Sequence, residues 1–377
     1  MNKTFKTCVV ATFMVLFSGN IFQANTQSPL KAVSSRDANG DGKVSSDEWE
    51  KPQKAFDRID KDGDGYLSPE DFAQHWGIEL PSAPKATPAG EDDVIIADVH
   101  MHPNPDNSPH HVLDWMDRNK VQWAGLGALR GGRSLREHYA EVMGKRYIPF
   151  GGQSQLNQIY FQGGNEATED PNNEDFKDLM TMLEEDFKAG KLKGIGEIFA
   201  NARTTSPFRG RKMRIDSPTM RAMYNLATKY GGVITVHVQF DSDSIGQLKT
   251  LAASNLAGQI IMAHCGSTTT SSEVREMLKA HQNIYCDLSA RHPPKMSPGL
   301  MRKKPKQKIF TADGLESDWR DLIEEMPDRF MVGTDTKTEA DYDGGIAAIR
   351  QGLLTNLSPE TAEKVAYSNA RNLLKLE

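Results

Sequence analysis

From Val94 to the C-terminus, eight short apolar runs alternate with amphipathic stretches, and this alternation restricts the fold more than any other feature. The runs are VIIADVH at 94–100, WAGLGAL at 123–129, YIPFGG at 147–152 and LKGIGEI at 192–198. They continue with VITVHV at 233–238, QIIMAH at 259–264, NIYCDLS at 283–289 and RFMVGTD at 329–335. Helical periodicity fills 175–188, 218–230 and 272–281, and a closing helix is expected over 359–374. Strands alternating with helices are the pattern of βα units. Eight of them suit a (β/α)8 barrel, so an α/β fold of TIM-barrel type is expected over 94–377. A doubly wound open sheet is the alternative, but no Gly-rich phosphate or dinucleotide loop follows the first run.

The polar residues of these runs gather at one end. His100, Glu197, His237, His264 and Asp335 all fall at or next to the C-terminal end of an expected strand, where barrel enzymes keep their chemistry. His100 and His102 share a side of their strand because side chains alternate, so two imidazoles can reach one cation. A single strand-end histidine is more often structural, but five strands ending in metal-compatible side chains are hard to assign to chance. Glu197 can instead pair with an arginine. His110 and His111 sit in the first βα loop, and His75, His138 and His281 lie in helical stretches without a partner signal.

A small helical calcium-binding module is expected at 30–78. Residues 37–48 read DANGDGKVSSDE and residues 60–71 read DKDGDGYLSPED. Each fits the EF-hand loop, in which alternating oxygen ligands converge around a glycine turn on a hard cation. The first loop offers Asp37, Asn39, Asp41 and Glu48, with Lys43 contributing its backbone carbonyl. The second offers Asp60, Asp62, Asp64 and Asp71, with Tyr66 contributing its carbonyl. The close spacing resembles the short-linker calcium hands of dockerins and other secreted bacterial proteins. It suggests a folding clamp or a module for protein docking. PSAPKATPAGEDD follows, and 79–93 reads as a linker.

Lys3 and Lys6 precede an apolar run from Cys8 to Phe17, so residues 1–24 are expected to be a signal peptide, with a signal anchor as the alternative. Export to the periplasm or the exterior follows, with no membrane span after cleavage. The net charge of -6 argues against a general nucleic-acid binder. Of three cysteines, Cys265 and Cys286 remain after cleavage, either as free buried thiols or as one bridge.

The pieces DVHMH, GIGEI, TVHV, IIMAHCG and PDRFMVGTD, with the tail YSNARNLLKL, resemble the amidohydrolase superfamily, and more closely its amidohydrolase-related branch, family 2. The resemblance implies that His100, His102, His237 and Asp335 hold a divalent metal, with zinc the expected ion. It implies that Asp335 takes a proton from water and passes it on. It gives His264 the part of a general base, an electrostatic partner, or a ligand of a second ion. Glu197 bridges two metals or stands beside one, and one metal with Glu197 close to it is the favoured reading. The implied reaction is hydrolysis of an amide, ester or lactone-type bond. A nonoxidative decarboxylase uses the same ligands, and a TatD-type DNase shares their order but fits the residues around His237, His264 and Asp335 less well. From a different class, a noncatalytic calcium-binding scaffold would keep the barrel only as a fold.

Cations crowd the loops expected on the same face: Arg130 and Arg133, then Arg203, Arg209, Arg211, Lys212 and Arg214, then Arg291 and a basic run from Arg302 to Lys308. Three such runs on an acidic chain suggest a field that attracts a small anionic substrate. Arg291, closest to its strand end, is the expected substrate-binding residue.

Overall fold

The computed structural model describes residues 29–37, 43–61, 63–77, 94–102, 104–125, 131–201, 211–267, 269–291, 309–311 and 314–377. Each of the eight apolar runs contributes a strand: β1 Ile96–Asp98, β2 Val121–Ala124, β3 Phe150–Gly152, β4 Gly194–Asn201, β5 Val233–Val238, β6 Gln259–Ala263, β7 Ile284–Asp287 and β8 Phe330–Met331. Strands β3 to β8 form one parallel sheet in sequence order, and β1 pairs with β2. Two seams join these pieces into a TIM barrel. Ala124 bridges to Tyr147, and the Ile148 N–H donates to the Ala124 carbonyl at 2.9 Å. At the other seam the Val99 N–H donates to the Val332 carbonyl at 3.1 Å, and Met101 bridges to Thr336.

The strand sequences explain the layering. A parallel strand covered on both faces must be apolar throughout, and β4 and β5 are buried at every position. Alternation then sorts the side chains. Ile96, Val121 and Ile234 belong to the core shared with the helices. Ala97, Trp123, Val233, Ile261 and Met331 form a separate cluster with Ala370, Leu374 and Leu376 of the C-terminal segment. Val233, Thr235 and His237 follow one another on that second side of β5, which carries His237 toward the C-terminal rim.

Several boundaries differ from the sequence expectation. Regular pairing in β8 stops at Met331 because the following amides find other partners. The Val332 N–H goes to Val365, the Thr334 N–H to the Asp98 carboxylate and the Asp335 N–H to the His100 carbonyl. The expected closing helix is built of two α-helical pieces, Pro359–Glu363 and Asn369–Leu374, joined by a π-helical stretch at Lys364–Ser368. Cys265 and Cys286 are free and buried.

In the N-terminal region, helices Pro29–Ser34, Gln53–Ile59 and Pro69–Trp76 surround a core of Val33, Val44, Trp49, Phe56, Ile59, Leu67 and Phe72. The two loops expected to bind calcium pair antiparallel through Val44 with Leu67 and Ser45 with Tyr66. The expected signal peptide and linker lie outside the described residues, as do Asn39, Asp41 and Asp62. Among the described residues no helix is long and apolar enough to cross a membrane.

Candidate metal centre

The rim begins with the crossing of β1 and the chain after β8. Asp98, at the end of β1, accepts from the amides of His100 (3.1 Å) and Thr334 (3.0 Å) and from the Thr334 hydroxyl (2.7 Å). Burial pushes its carboxyl up to about 6 against the opposing hydrogen bonds from Thr334 and His100. A Cβ at Gly333 would sit 2.6 Å from the His100 Cβ, so only glycine lets the two segments pass this closely. Beyond the strand ends the backbone turns sharply. His264, Cys265, Ala290 and Asp335 all have φ between 46° and 55°, a left-handed conformation costing non-glycine residues roughly 1–2 kcal/mol each. Such strain concentrates at functional sites.

These turns bring four imidazoles around one carboxylate. Glu197 Oε1 lies 2.9 Å from His237 Nδ1 and 3.1 Å from His264 Nε2, while Oε2 lies 3.5 Å from Nε2 of both His100 and His102. Asp335 Oδ1 stands 3.1 Å from His102 Nε2 and 3.8 Å from His100 Nε2. Glu197 is 1% exposed, whereas the Asp335 side chain is 29% exposed, so Asp335 is the carboxylate that meets the open face.

Burial and charge compete at each group. Burial would raise the Glu197 carboxyl, but the charge on His100 and the nearby imidazole nitrogens of His100, His102 and His237 hold it well below the usual carboxylate range. Burial opposes protonation of His100, yet Asp287 and Glu197 hold its pKa well above that of a free imidazole. His102 is likewise raised, by Asp335 and Glu197 acting against burial. His237 is lowered by burial. At Asp335 burial is outweighed by the hydrogen bond with His102 and the nearby imidazoles, and its carboxyl sits below the ordinary value.

The donor set fits a divalent cation. His100, His102 and Glu197 place donor atoms within 4.8 Å of one another, as do Glu197, His237 and His264, and as do His100, His264 and Asp287. Among the described residues, Nε2 of His100 and Nε2 of His237 are buried with no hydrogen-bond partner. Imidazole nitrogen and carboxylate oxygen are ligands that zinc accepts.

Sequence reasoning missed the layer beneath. Asp287 Oδ2 lies 2.9 Å from His100 Nδ1. Asp287 Oδ1 accepts from the amides of His264 (3.2 Å) and Ser289 (3.0 Å) and from the Ser289 hydroxyl. Ser289 Oγ in turn lies 2.8 Å from His264 Nδ1. The strand-end position of Asp287 in IYCD was the available signal.

Arg291 is not brought to an open surface. It is fully buried, donates to the carbonyls of Ser267 (2.7 Å) and Thr269 (3.0 Å), and stacks on Trp319. The described cations of the other loops engage neighbouring groups. Arg133 pairs with Asp186, Lys212 with Asp243 and Arg214 with Asp216, while Arg211 is buried against Asn157 and Tyr160. Arg130, Arg203, Arg209 and the run from Arg302 to Lys308 lie outside the described residues.

In the second loop of the expected EF-hand pair, Asp60 accepts from the amides of Gly63 and Gly65, and Asp64 from that of Tyr66. Asp71 joins loop start to loop end: Oδ1 accepts from the Lys61 amide at 2.9 Å, and Oδ2 from the Ser68 amide at 3.0 Å. In the first loop, Glu48 accepts from the Ser45 amide and hydroxyl. Lys43 reaches Asp64 at 3.7 Å, an exposed pair. Asp37 ends the described stretch after the first helix.

A family model described as amidohydrolase matches residues 170–376, and one described as EF hand matches 37–51 and 53–74. No curated protein matches the chain in sequence. An uncharacterised TIM-barrel protein from Bordetella bronchiseptica superposes with a TM-score of 0.50 at 11% identity, covering 75% of this chain and 99% of its own. At that identity it shows the fold alone. An amidohydrolase from Burkholderia multivorans with bound HEPES gives 0.48 at 14% identity, covering 75% of this chain and 100% of its own. A probable 2-pyrone-4,6-dicarboxylic acid hydrolase from Acinetobacter baumannii with citric acid bound gives 0.47 at 10% identity, covering 74% of this chain and 99% of its own. The last two superpose too loosely to bear on chemistry.

Proposed function

Because the chain belongs to the amidohydrolase family, whose model spans more than half of it, we propose that it is an exported metal-dependent hydrolase of a small molecule, cleaving an amide, ester or lactone-type bond. The observation that carries this reading is the cluster of four imidazoles about Glu197, with Nε2 of His100 and of His237 left without a hydrogen-bond partner among the described residues. His100, His102, His237 and Asp335 would hold one divalent metal, zinc in this proposal, with Glu197 beside it. Such an ion, when bound, supplies Lewis acidity toward both water and the bond to be broken.

The chain's own groups then divide the remaining work. Asp335 is ionised and partly open to solvent, so it can accept a proton from water at Oδ1 and return it to the leaving group. Glu197 is closed off from solvent and aligns His237 and His264 through Oε1. His264, held from behind by Ser289, faces the reacting groups with Nε2 as a base or an electrostatic partner. Burial of this cluster strengthens each of these interactions relative to water.

An anionic substrate is supported by the basic sequence of the loops after β2, β4 and β7, in particular Arg130, Arg203, Arg209 and the run from Arg302 to Lys308, rather than by Arg291, which is buried with Nη1 and Nη2 already on carbonyl groups. Export is supported by Lys3, Lys6 and the apolar run after them, and N-terminal sequencing of the mature protein tests it. The EF-hand pair is proposed as a calcium-dependent clamp or docking module, and no nucleic-acid partner is proposed. The reaction itself is tested by assaying esters, lactones, amides and aromatic acids side by side. Water addition that requires a transition metal and falls in Asp335→Asn supports hydrolysis. Release of carbon dioxide without water addition would replace it with decarboxylation.

A further inference from the structure

We propose that Asp287 is a positioning residue: it holds the His100 proton on Nδ1, turns the His100 Nε2 lone pair into the cluster, and through Ser289 ties His264 to the same carboxylate. The hydrogen-bond directions follow from what each atom can do. A carboxylate only accepts, so the Ser289 hydroxyl must donate to Asp287 Oδ1. That hydroxyl has then used its proton, and it can only accept from His264 Nδ1, 2.8 Å away. The Ser289 carbonyl, also only an acceptor, faces the same nitrogen at 3.2 Å. For His100 the choice lies between Asp287 at 2.9 Å from Nδ1 and Glu197 at 3.5 Å from Nε2. The shorter contact takes the single proton of the neutral ring. Asp287 is fully buried, and it acts through His100 and Ser289.

Asp287→Asn gives this assignment a direction. Three donors surround Oδ1: the amides of His264 and Ser289 and the Ser289 hydroxyl. They keep the amide oxygen of asparagine on their side and turn its NH2 toward His100 Nδ1. Nδ1 must then accept, and the ring proton moves to Nε2, the atom that would face a cation. Carboxylate partners of this kind typically change metal affinity by about 10–100-fold.

The test is a long-range proton–nitrogen NMR spectrum of full-length, histidine-labelled protein, stripped of cation and held at alkaline pH so that the rings are neutral, followed by a zinc titration. The wild type should show His100 protonated at Nδ1, and Asp287→Asn should show it protonated at Nε2 with zinc affinity lowered about 10–100-fold. A wild-type His100 protonated at Nε2 would overturn the proposal, and that spectrum decides even if the variant does not fold. A folded Asp287→Asn protein whose His100 stays protonated at Nδ1 would overturn it as well. The affinity part rests on the metal reading above, and the tautomer part does not. A flipped ring with unchanged zinc affinity would therefore support the positioning role while removing His100 from the ligand set.

Discussion

The second EF-hand loop takes its carboxylates from residues 60–71, on an exposed turn whose amides fold back onto Asp60, Asp64 and Asp71. The barrel cluster takes His100 from just beyond the first strand and Asp335 from beyond the last, and it buries Glu197 among four imidazoles. The loop is hard, oxygen-rich and local. The cluster is nitrogen-rich and depends on the whole barrel closing. If this contrast is right, the two regions should fail separately and respond to different ions.

The largest expected separation comes from His102→Ala. Activity should fall on the order of a thousandfold, equivalent to several kcal/mol of lost metal assistance, and transition-metal content should drop in elemental analysis. Calcium binding by the hand, followed by titration calorimetry, should not change. A loss of both would break the comparison. Glu197→Gln should be next, lowering kcat by about a hundredfold, because it removes the charge that faces all four rings. Steady-state kinetics beside circular dichroism would separate this from misfolding.

These two residues also mark what was legible in the sequence. Each EF-hand loop declares itself because its spacing is its geometry. The eight strands declared themselves through apolar runs, and His100, Glu197, His237, His264 and Asp335 through their positions at strand ends. Asp287, Ser289 and Asp98 did not, since the strand-end position of an aspartate or serine is a signal too common to single it out. Their partners become visible only when β1, β7 and β8 lie side by side. The surroundings of Arg291 were hidden for a related reason. Proximity to a strand end does not reveal that the carbonyls of Ser267 and Thr269 already claim the guanidinium.

A smaller effect concerns pH. The pKa values of His100 and His102 are raised above the free imidazole value, so in the cation-free barrel their protons contribute stability that is fully present below about 6.5. That stability is lost as pH rises through the folded values. A cation must displace the same protons, so zinc affinity should rise with pH by about tenfold per unit for each proton released. Thermal melts and chelator competition at several pH values would show the opposite slopes, and parallel slopes would count against the assignment. The smallest effect belongs to Asp71→Ala. It removes the capping box of helix Pro69–Trp76, at a cost of about 1 kcal/mol, and it should weaken calcium binding. Catalysis in the barrel should be untouched, as an assay of the variant in excess calcium would show.

The most direct test of the central claim is a metal count on the purified full-length protein and on a His100→Ala, His102→Ala double variant. The wild type should carry stoichiometric transition metal that the double variant lacks, with calcium the same in both. A wild-type protein that takes up calcium but no transition metal at pH ~7 would contradict the account and leave the barrel as a scaffold.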